Sequence, residues 1–451
     1  MSVSVIILAA GMGSRMQSDM PKVLHNVAGA SMLIHAMRSA EGINAEKTVI
    51  VTGHGAKHVA KAAVDYDETA QTVLQSEQNG TGHAVQQAAP VLHDFDGDVI
   101  VLYGDTPFVR SETLQAMLDE KAKGHGVVVL GFNAADPAKY GRLVTTDDGL
   151  LDAIVEFKDA TDTQRAITFC NSGVICADAK LLFELLNEVK NDNASGEYYL
   201  TDVVGLARAR NLTCAAIACD EAETMGVNSR VDLAAAEVAF QNTARREAME
   251  NGATLTAAET VWFAYDTVIG RDVIIEPNVV FGPDVTVETG ATIRAFSHLE
   301  GCHVSKDAIV GPYARLRPGT ELGNGVKVGN FVEIKAAIVD EGAKVNHLSY
   351  IGDAEVGSEA NIGAGTITCN YDGVFKHKTK IGARSFIGSN TMLVAPVSVG
   401  DDAMTGSGSV ITKDIPDEAL GLGRARQDNK EGFALKLMNK LRAAKAAKTK
   451  E

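Results

Sequence analysis

Apolar runs and helical patterns alternate along the first half of the chain. Residues 3–10, 48–52, 99–103 and 127–131 are nearly continuous apolar stretches, the pattern of strands buried on both faces. Residues 31–40, 56–64, 81–89 and 111–123 carry apolar positions at helical spacing between them. Ser111, with Glu112 in the first turn and Leu114 behind it, marks one helix start. This alternation predicts an α/β doubly wound (Rossmann-like) sheet, whose ligands sit beyond the carboxyl ends of its strands. Residues 229–251 hold no Gly or Pro and predict one long helix ended by Gly252, a linking α-helix with Val231, Ala235, Val238 and Asn242 on one face.

Beyond residue 252 the period becomes six. Ile269, Ile275, Phe281, Val287, Ile293 and Leu299 form one series, and Val273, Val279, Val285, Ala291 and Ser297 a second. The pattern resumes through Val310, Leu316, Leu322, Val328 and Ile334, with Ala314, Thr320, Val326, Val332 and Ile338. It returns from Ile381 and Ser385 to Ile411 and Ser409. A six-residue period is the hexapeptide repeat of a parallel β-helix, with an aliphatic side chain pointing inward from each short strand. Three hexapeptides make a coil, so residues 268–412 predict about eight coils. Residues 369–380 break the register and should protrude as a loop.

Length and charge narrow the class. A chain of 451 residues is expected to form more than one domain. Its net charge of −16 argues against a nucleic-acid partner and requires any polyanionic substrate to meet local positive charge. The six cysteines show no metal or redox spacing and are expected to be reduced thiols. No stretch approaches the ~18 apolar residues of a membrane helix. Residues 3–10 lack the flanks of a signal peptide, so a soluble, cytoplasmic protein without a membrane partner is expected.

That local positive charge stands directly after the first strand. Leu8, Ala9 and Ala10 lead into Gly11-Met12-Gly13, followed by Arg15 and by Pro21-Lys22. Glycines there let backbone N–H groups approach a phosphate, and Arg15 and Lys22 add charge. The spacing is neither a P-loop nor a dinucleotide fingerprint. Asp105, after Tyr103-Gly104 at the end of another apolar run, is costly without a partner, and a phosphate-bound Mg²⁺ is a natural one. The pattern L-x-x-G-x-G-x-R-x(5)-P-K resembles the signature of the sugar-1-phosphate nucleotidyltransferases. That resemblance implies UTP as substrate, with Gln75, Gly80 and Thr81 reading uracil. It also implies a sugar pocket of Gly141, Glu156, Asn171 and Thr201, and Mg²⁺ on Asp105 and Asn228.

Polar clusters in the second half follow one another at roughly coil spacing: Arg315-x-Arg317, residues 330–335, residues 346–350 and residues 361–372. Residues one coil apart stack, so Arg317, Lys335 and Tyr350 are expected to share a groove. With these residues the chain resembles, over residues 3–433, the bacterial family of bifunctional N-acetylglucosamine-1-phosphate uridyltransferases and glucosamine-1-phosphate acetyltransferases. The resemblance implies a uridyltransferase domain over 1–228, a helical linker over 229–252, a left-handed β-helix acetyltransferase domain over 253–427 and a basic tail over 428–451. His347 would be the general base, an imidazole being suited to taking a proton at neutral pH. Arg317 and Lys335 would hold the sugar phosphate, and Tyr350 and Asn361 would orient the sugar. Ala364, Asn370, Tyr371, Ser389, Ser407 and Arg424 would line an acetyl-CoA groove in a homotrimer. Met12 and Ser407 depart from residues common in the family, which leaves fine cofactor contacts open. His377 is the nearest rival base, but its lysine neighbours should oppose proton uptake. The competing readings are a single-activity nucleotidyltransferase with an oligomerising or regulatory β-helix, and a non-enzymatic trimeric binding module.

Overall fold

In the computed structural model residues 2–193 and 195–448 are described. They form two compact units, Met1–Glu247 with Phe263–Tyr265, and Ala248–Trp262 with Asp266–Glu451. The last three residues of the basic tail lie outside the described residues.

The first unit is built on β1 (Val3–Ala9), β2 (Lys47–Thr52), β3 (Gln71–Leu74), β4 (Asp98–Tyr103), β5 (Val127–Asn133), β6 (Phe169–Asp178) and β7 (Cys214–Cys219). Their order across the sheet is β7-β5-β6-β4-β1-β2-β3. Among these seven strands only β6 breaks the parallel run, pairing antiparallel with β4 and β5. Alternate residues enter two different cores: Ile6, Val49, Val99 and Val101 on one face, Val5, Ile7, Ile50 and Ile100 on the other. Burial on both faces is why these strands read as continuous apolar runs. In register, Leu8 lies opposite Tyr103, so the segments leaving β1 and β4 emerge side by side.

Helices α1 (Met32–Gly42), α2 (Ala56–Tyr66), α3 (Thr81–Gln86) and α4 (Ser111–Lys121) lie near the expected positions. Residues 81–89 do not make one helix, because a second short one starts at Ala89 with Pro90 in its first turn. The long helix α5 (Arg230–Glu250) corrects the expected face: Val231 and Val238 are 78% and 54% exposed. Its packed side is instead Ala236, Leu233 and Phe240, against Val27, Met32 and Val227. Gln241 is buried there because both ends of its amide are satisfied. Its Nε2 donates to the Phe263 carbonyl at 2.7 Å, and its Oε1 accepts the Phe263 N–H at 2.8 Å.

The second unit is a parallel β-helix. One face is a ten-stranded sheet running from Thr254–Leu255 to Leu420–Gly421, so the coils extend beyond the stretch counted by periodicity. The inward series is buried as expected except at its first member, Ile269, which is half-buried, and at Ile338, which is 49% exposed. Glu333–Val339 runs as a single strand, and Thr320 pairs with Ala337, which takes the inward place. One residue fewer in that coil shifts the side-chain alternation. The segment between strands Ile367–Cys369 and Thr379–Ile381 leaves the coil and is mostly exposed.

One corner repeats a left-handed residue, at Phe296, Tyr313, Phe331, Leu348, Gly365, Asn390 and Gly408. The rings of Phe296, Tyr313 and Phe331 stack along it at 4.9 and 5.3 Å, exposed to solvent. Helix α6 (Phe433–Lys448) is basic and exposed, including Leu437, Met438 and Leu441. Among the described residues no helix is long and apolar enough to cross a membrane.

Candidate functional sites

At the carboxyl edge of β1, Gly13 takes φ +62°, and a Cβ there would lie 2.6 Å from the Lys22 Cβ. Glycine is therefore required both by conformation and by the approach of Lys22. The Lys22 ammonium contacts the Asp105 carboxylate and, at 3.0 Å, the Asn228 Oδ1. Asp105 reaches this point from the end of β4. Asn228 reaches it because Val227 N–H donates to the Asp105 carbonyl at 2.9 Å. Asp232, in the first turn of α5, accepts the Asn228 and Ser229 N–H groups at 3.0 and 2.9 Å. Burial pushes the Asp232 carboxyl up, but these N–H donors outweigh it and hold it below the usual range.

Two oxygens thus converge on one cationic nitrogen. That donor set suits Mg²⁺, which takes one or two protein oxygens beside phosphate. Among the described residues no group of three or more His, Cys, Asp or Glu is placed to hold a metal, and this donor set needs none.

The other expected residues gather around the same edge. The Ala10 carbonyl accepts Gln78 Nε2 at 2.8 Å, tying the turn after β1 to the loop that holds Gln75, Gly80 and Thr81. Gly104 N–H donates to the Leu8 carbonyl at 3.0 Å, and the Tyr103 ring lies against Gly173. Gly141, Glu156 and Asn171 form a group of their own. A Cβ on Gly141 would lie 3.4 Å from Glu156 Oε1 and 3.6 Å from Asn171 Cβ. Burial, then Asp159 and Asp202, pushes the Glu156 carboxyl above its ordinary value. Thr201 lines a hollow of about 430 Å³ with Ile154, Lys190 and Asp202. A larger cavity, about 880 Å³ and lined by His35, Phe108, Arg110, Phe240 and Tyr265, holds none of the expected residues.

Arg230 was not singled out by sequence. Its Nε donates to the Met16 carbonyl at 3.2 Å and its Nη1 to His25 Nδ1 at 3.2 Å, bracing the glycine-rich turn from the start of α5. Nothing in the local sequence signals this, because the partners are over 200 residues away.

In the second unit the corner column brings several of the expected residues together. Leu348, Gly365, Asn390 and Gly408 each donate an N–H to the coil before: to Asn330, His347, Ala364 and Ser389, at 3.0, 3.2, 2.7 and 2.8 Å. Asn330, His347, Ala364, Ser389 and Ser407 therefore occupy one equivalent position in successive coils. Arg424 lies across the turn of Gly406 and Gly408, beside Ser407.

His347 Nδ1 is 2.9 Å from the Asn330 Oδ1 one coil away. An amide oxygen only accepts, so Nδ1 carries a proton, and in the neutral ring the lone pair is on Nε2. The spacing of 17 residues, one coil, was the signal that could have found Asn330.

On the adjoining face Lys335 pairs with Gly352 rather than Tyr350. Tyr350 stacks under Glu333, and its ring swings over Gly352, where a Cβ would lie 2.4 Å from the hydroxyl. Lys376, at hydrogen-bond range and by charge, lowers the Lys335 ammonium below its ordinary value, with Arg317 adding less. Arg317 Nη1 holds Glu333 Oε1 at 2.8 Å. Asn370 binds the Asp353 carboxylate and reaches the Tyr350 hydroxyl at 3.5 Å. Asn361 lies on the other face, stacked between Lys344 and Phe386.

Tyr371 bonds within its own loop. There His377 meets an acidic partner as well as its lysine neighbours: its Nε2 lies 2.7 Å from Asp372 Oδ2. Asp372 is correspondingly held at about 2 by His377, then by the N–H groups of Phe375 and Val374.

Residues 5–174 match the MobA-like NTP transferase domain, and residues 266–301, 301–336 and 378–413 match the bacterial transferase hexapeptide of six repeats. The chain is 64% identical over 449 residues to a bifunctional protein GlmU of Cereibacter sphaeroides, covering 100% of this chain and 98% of that one. It is 63% identical over 450 residues to the GlmU of a Ruegeria species, covering both chains fully. With the GlmU of Roseobacter denitrificans it shares 62% over 446 residues, 99% of each chain.

Proposed function

The chain belongs to the family of bifunctional GlmU proteins, and on that premise we propose which residues perform its two transfers. It acetylates glucosamine-1-phosphate from acetyl-CoA, and it joins UMP from UTP to N-acetylglucosamine-1-phosphate with release of pyrophosphate. We assign uridylyl transfer to the first unit and acetyl transfer to the second.

In the first unit Arg15, Lys22 and the backbone of the glycine-rich turn receive the triphosphate. Asp105 and Asn228 would hold Mg²⁺, which supplies charge neutralisation at the phosphates when bound. Gln75 and the Gly80-Thr81 backbone take the uracil; Gly141, Glu156 and Asn171 take the sugar. The sugar phosphate attacks the α-phosphorus in line, since the turn shows no nucleophile paired with an activating base but abundant positive charge. The contact of Lys22 with both Asp105 and Asn228 carries this half.

For acetyl transfer, Arg317, Lys335 and Lys376 hold the sugar phosphate. An anion among these cations relieves the repulsion that lowers Lys335. His347 Nε2 takes a proton from the sugar ammonium, and the freed amine attacks the thioester carbon. The C–S bond then breaks to release coenzyme A as the thiol, with the amine's remaining excess proton passing to the thiolate or solvent. The coenzyme lies along the corner of Ala364, Ser389, Ser407 and Arg424, beside Asn370 and Tyr371. The His347–Asn330 contact carries this half. Incubation with glucosamine-1-phosphate, acetyl-CoA, UTP and Mg²⁺ should yield UDP-N-acetylglucosamine. With excess EDTA, N-acetylglucosamine-1-phosphate should accumulate instead; undiminished UDP-sugar under EDTA would overturn the metal assignment.

The working state is a homotrimer. The exposed stack of Phe296, Tyr313 and Phe331, continued by Leu348, supports a self-association surface. Sedimentation should give three copies, and Phe331→Glu should lower that number. All six cysteines are unpaired, which suits a reducing compartment such as the cytoplasm.

A further inference from the structure

Gln75 follows β3 and is only 5% exposed, so each polar atom of its amide must be accounted for. Its Nε2 lies 3.1 Å from the Gly80 carbonyl and 3.1 Å from His83 Nδ1. A carbonyl oxygen only accepts, so the NH₂ end of the amide must face Gly80. Both amide hydrogens are then used, one on Gly80 and one on His83. It follows that His83 Nδ1 is the unprotonated, accepting nitrogen.

The frame around the pair is fixed from the next segment. Gly82 N–H donates to the Tyr198 carbonyl at 2.8 Å, Tyr198 N–H to the Asn79 carbonyl at 2.8 Å, and Leu200 N–H to Thr81 Oγ1 at 3.1 Å. Gly80 sits at φ +110°, where a Cβ would strike the Tyr198 backbone. The Gln75 Oε1 receives no donor from any described residue. It is the one end of the amide left for a ligand.

We infer that His83 is a positioning residue that sets pyrimidine choice, by locking the Gln75 amide so that it presents only its oxygen to the base. This rests on the reading of Gln75 as the residue that meets the base. Uracil carries a hydrogen on N3, which an accepting oxygen satisfies. Cytosine has a lone pair there, so two acceptors would face each other in a buried site, an arrangement that leaves both unpaired. Were the amide to turn over, its NH₂ would suit cytosine. The turned amide would then set Oε1 against the Gly80 carbonyl and the His83 lone pair.

The test is the ratio of kcat/KM for UTP to that for CTP, measured in competition on the full chain. His83→Phe keeps a ring and removes the acceptor; His83→Leu is a second variant should the first fold poorly. His83→Asn returns an accepting oxygen near the position of Nδ1. Gln75→Leu is measured alongside, with acetyl transfer as the control for folding. The UTP/CTP ratio should fall roughly three- to tenfold in His83→Phe and His83→Leu, the effect of losing one hydrogen bond. It should recover to within about twofold of the starting value in His83→Asn, on the same reasoning. An unchanged ratio in the His83 variants, with a collapsed ratio in Gln75→Leu, overturns the lock and leaves the role of Gln75 standing. An unchanged ratio in Gln75→Leu overturns both.

Discussion

The first unit gathers its polar residues from points far apart in the chain, whereas the second gathers them by repetition. Lys22, Asp105 and Asn228 meet because β1 and β4 end in register and Val227 is bonded to the Asp105 carbonyl. Asn330, His347, Ala364, Ser389 and Ser407 meet because each coil sets the same position above the last. In a sheet, convergence depends on where strands end and which loops are tied together. In a coil it is arithmetic, and a single missing residue moves everything beyond it, as Ile338 shows. A change in the first site should therefore act through geometry between distant segments, and a change in the second should act through its stacked neighbour.

The largest expected effect is on the base. His347→Ala should lower acetyl transfer by about 10² to 10⁴. His377→Ala should stay near normal, since His377 is engaged by Asp372 in its own loop. The reverse outcome would move the base out of the column. Asp105→Asn or Arg15→Ala should lower uridylyl transfer by on the order of 10² or more. Incubation with labelled UTP should leave no covalent nucleotidyl-enzyme; finding one would replace in-line attack. A smaller effect is expected from the stacked neighbour: Asn330→Ala should cost acetyl transfer roughly tenfold, by freeing the His347 ring to take the wrong tautomer. If Asn330→Ala were silent, stacking would not be how this site is positioned.

The smallest effect sharpens the boundary between the units. A fragment ending at Gly252 should keep uridylyl transfer but melt earlier than one ending at Tyr265. Cutting at Gly252 leaves the buried Gln241 amide without its Phe263 partners, and each such group costs about 1–3 kcal/mol. Equal melting temperatures would show that Phe263–Tyr265 adds nothing to the first unit.

The β-helix was legible because its period is in the sequence itself, and the α/β sheet because strands buried on both faces are apolar throughout. The face of α5 was not legible. Val231 and Val238 looked like the packing side, but Ala236 packs with Val27, Met32 and Val227, and Gln241 is buried by its two bonds to Phe263. The glycine-rich turn was readable as a motif, whereas its bracing by Arg230 was not, since a guanidinium that reaches Met16 and His25 leaves no local pattern. The Asp372 partner of His377 was not legible either, since it reaches the ring only because the loop folds back on itself. Asn330 falls between these cases: its spacing from His347 was visible, but its role needed the contact.

The central claim is that the two transfers rest on separate sets of residues, one set in each unit. Both reactions should be assayed on the same preparations of Asp105→Asn, His347→Ala and the double variant. The account predicts that Asp105→Asn loses only uridylyl transfer, that His347→Ala loses only acetyl transfer, and that the double variant shows the two losses side by side. A folded single variant that loses both activities would contradict it.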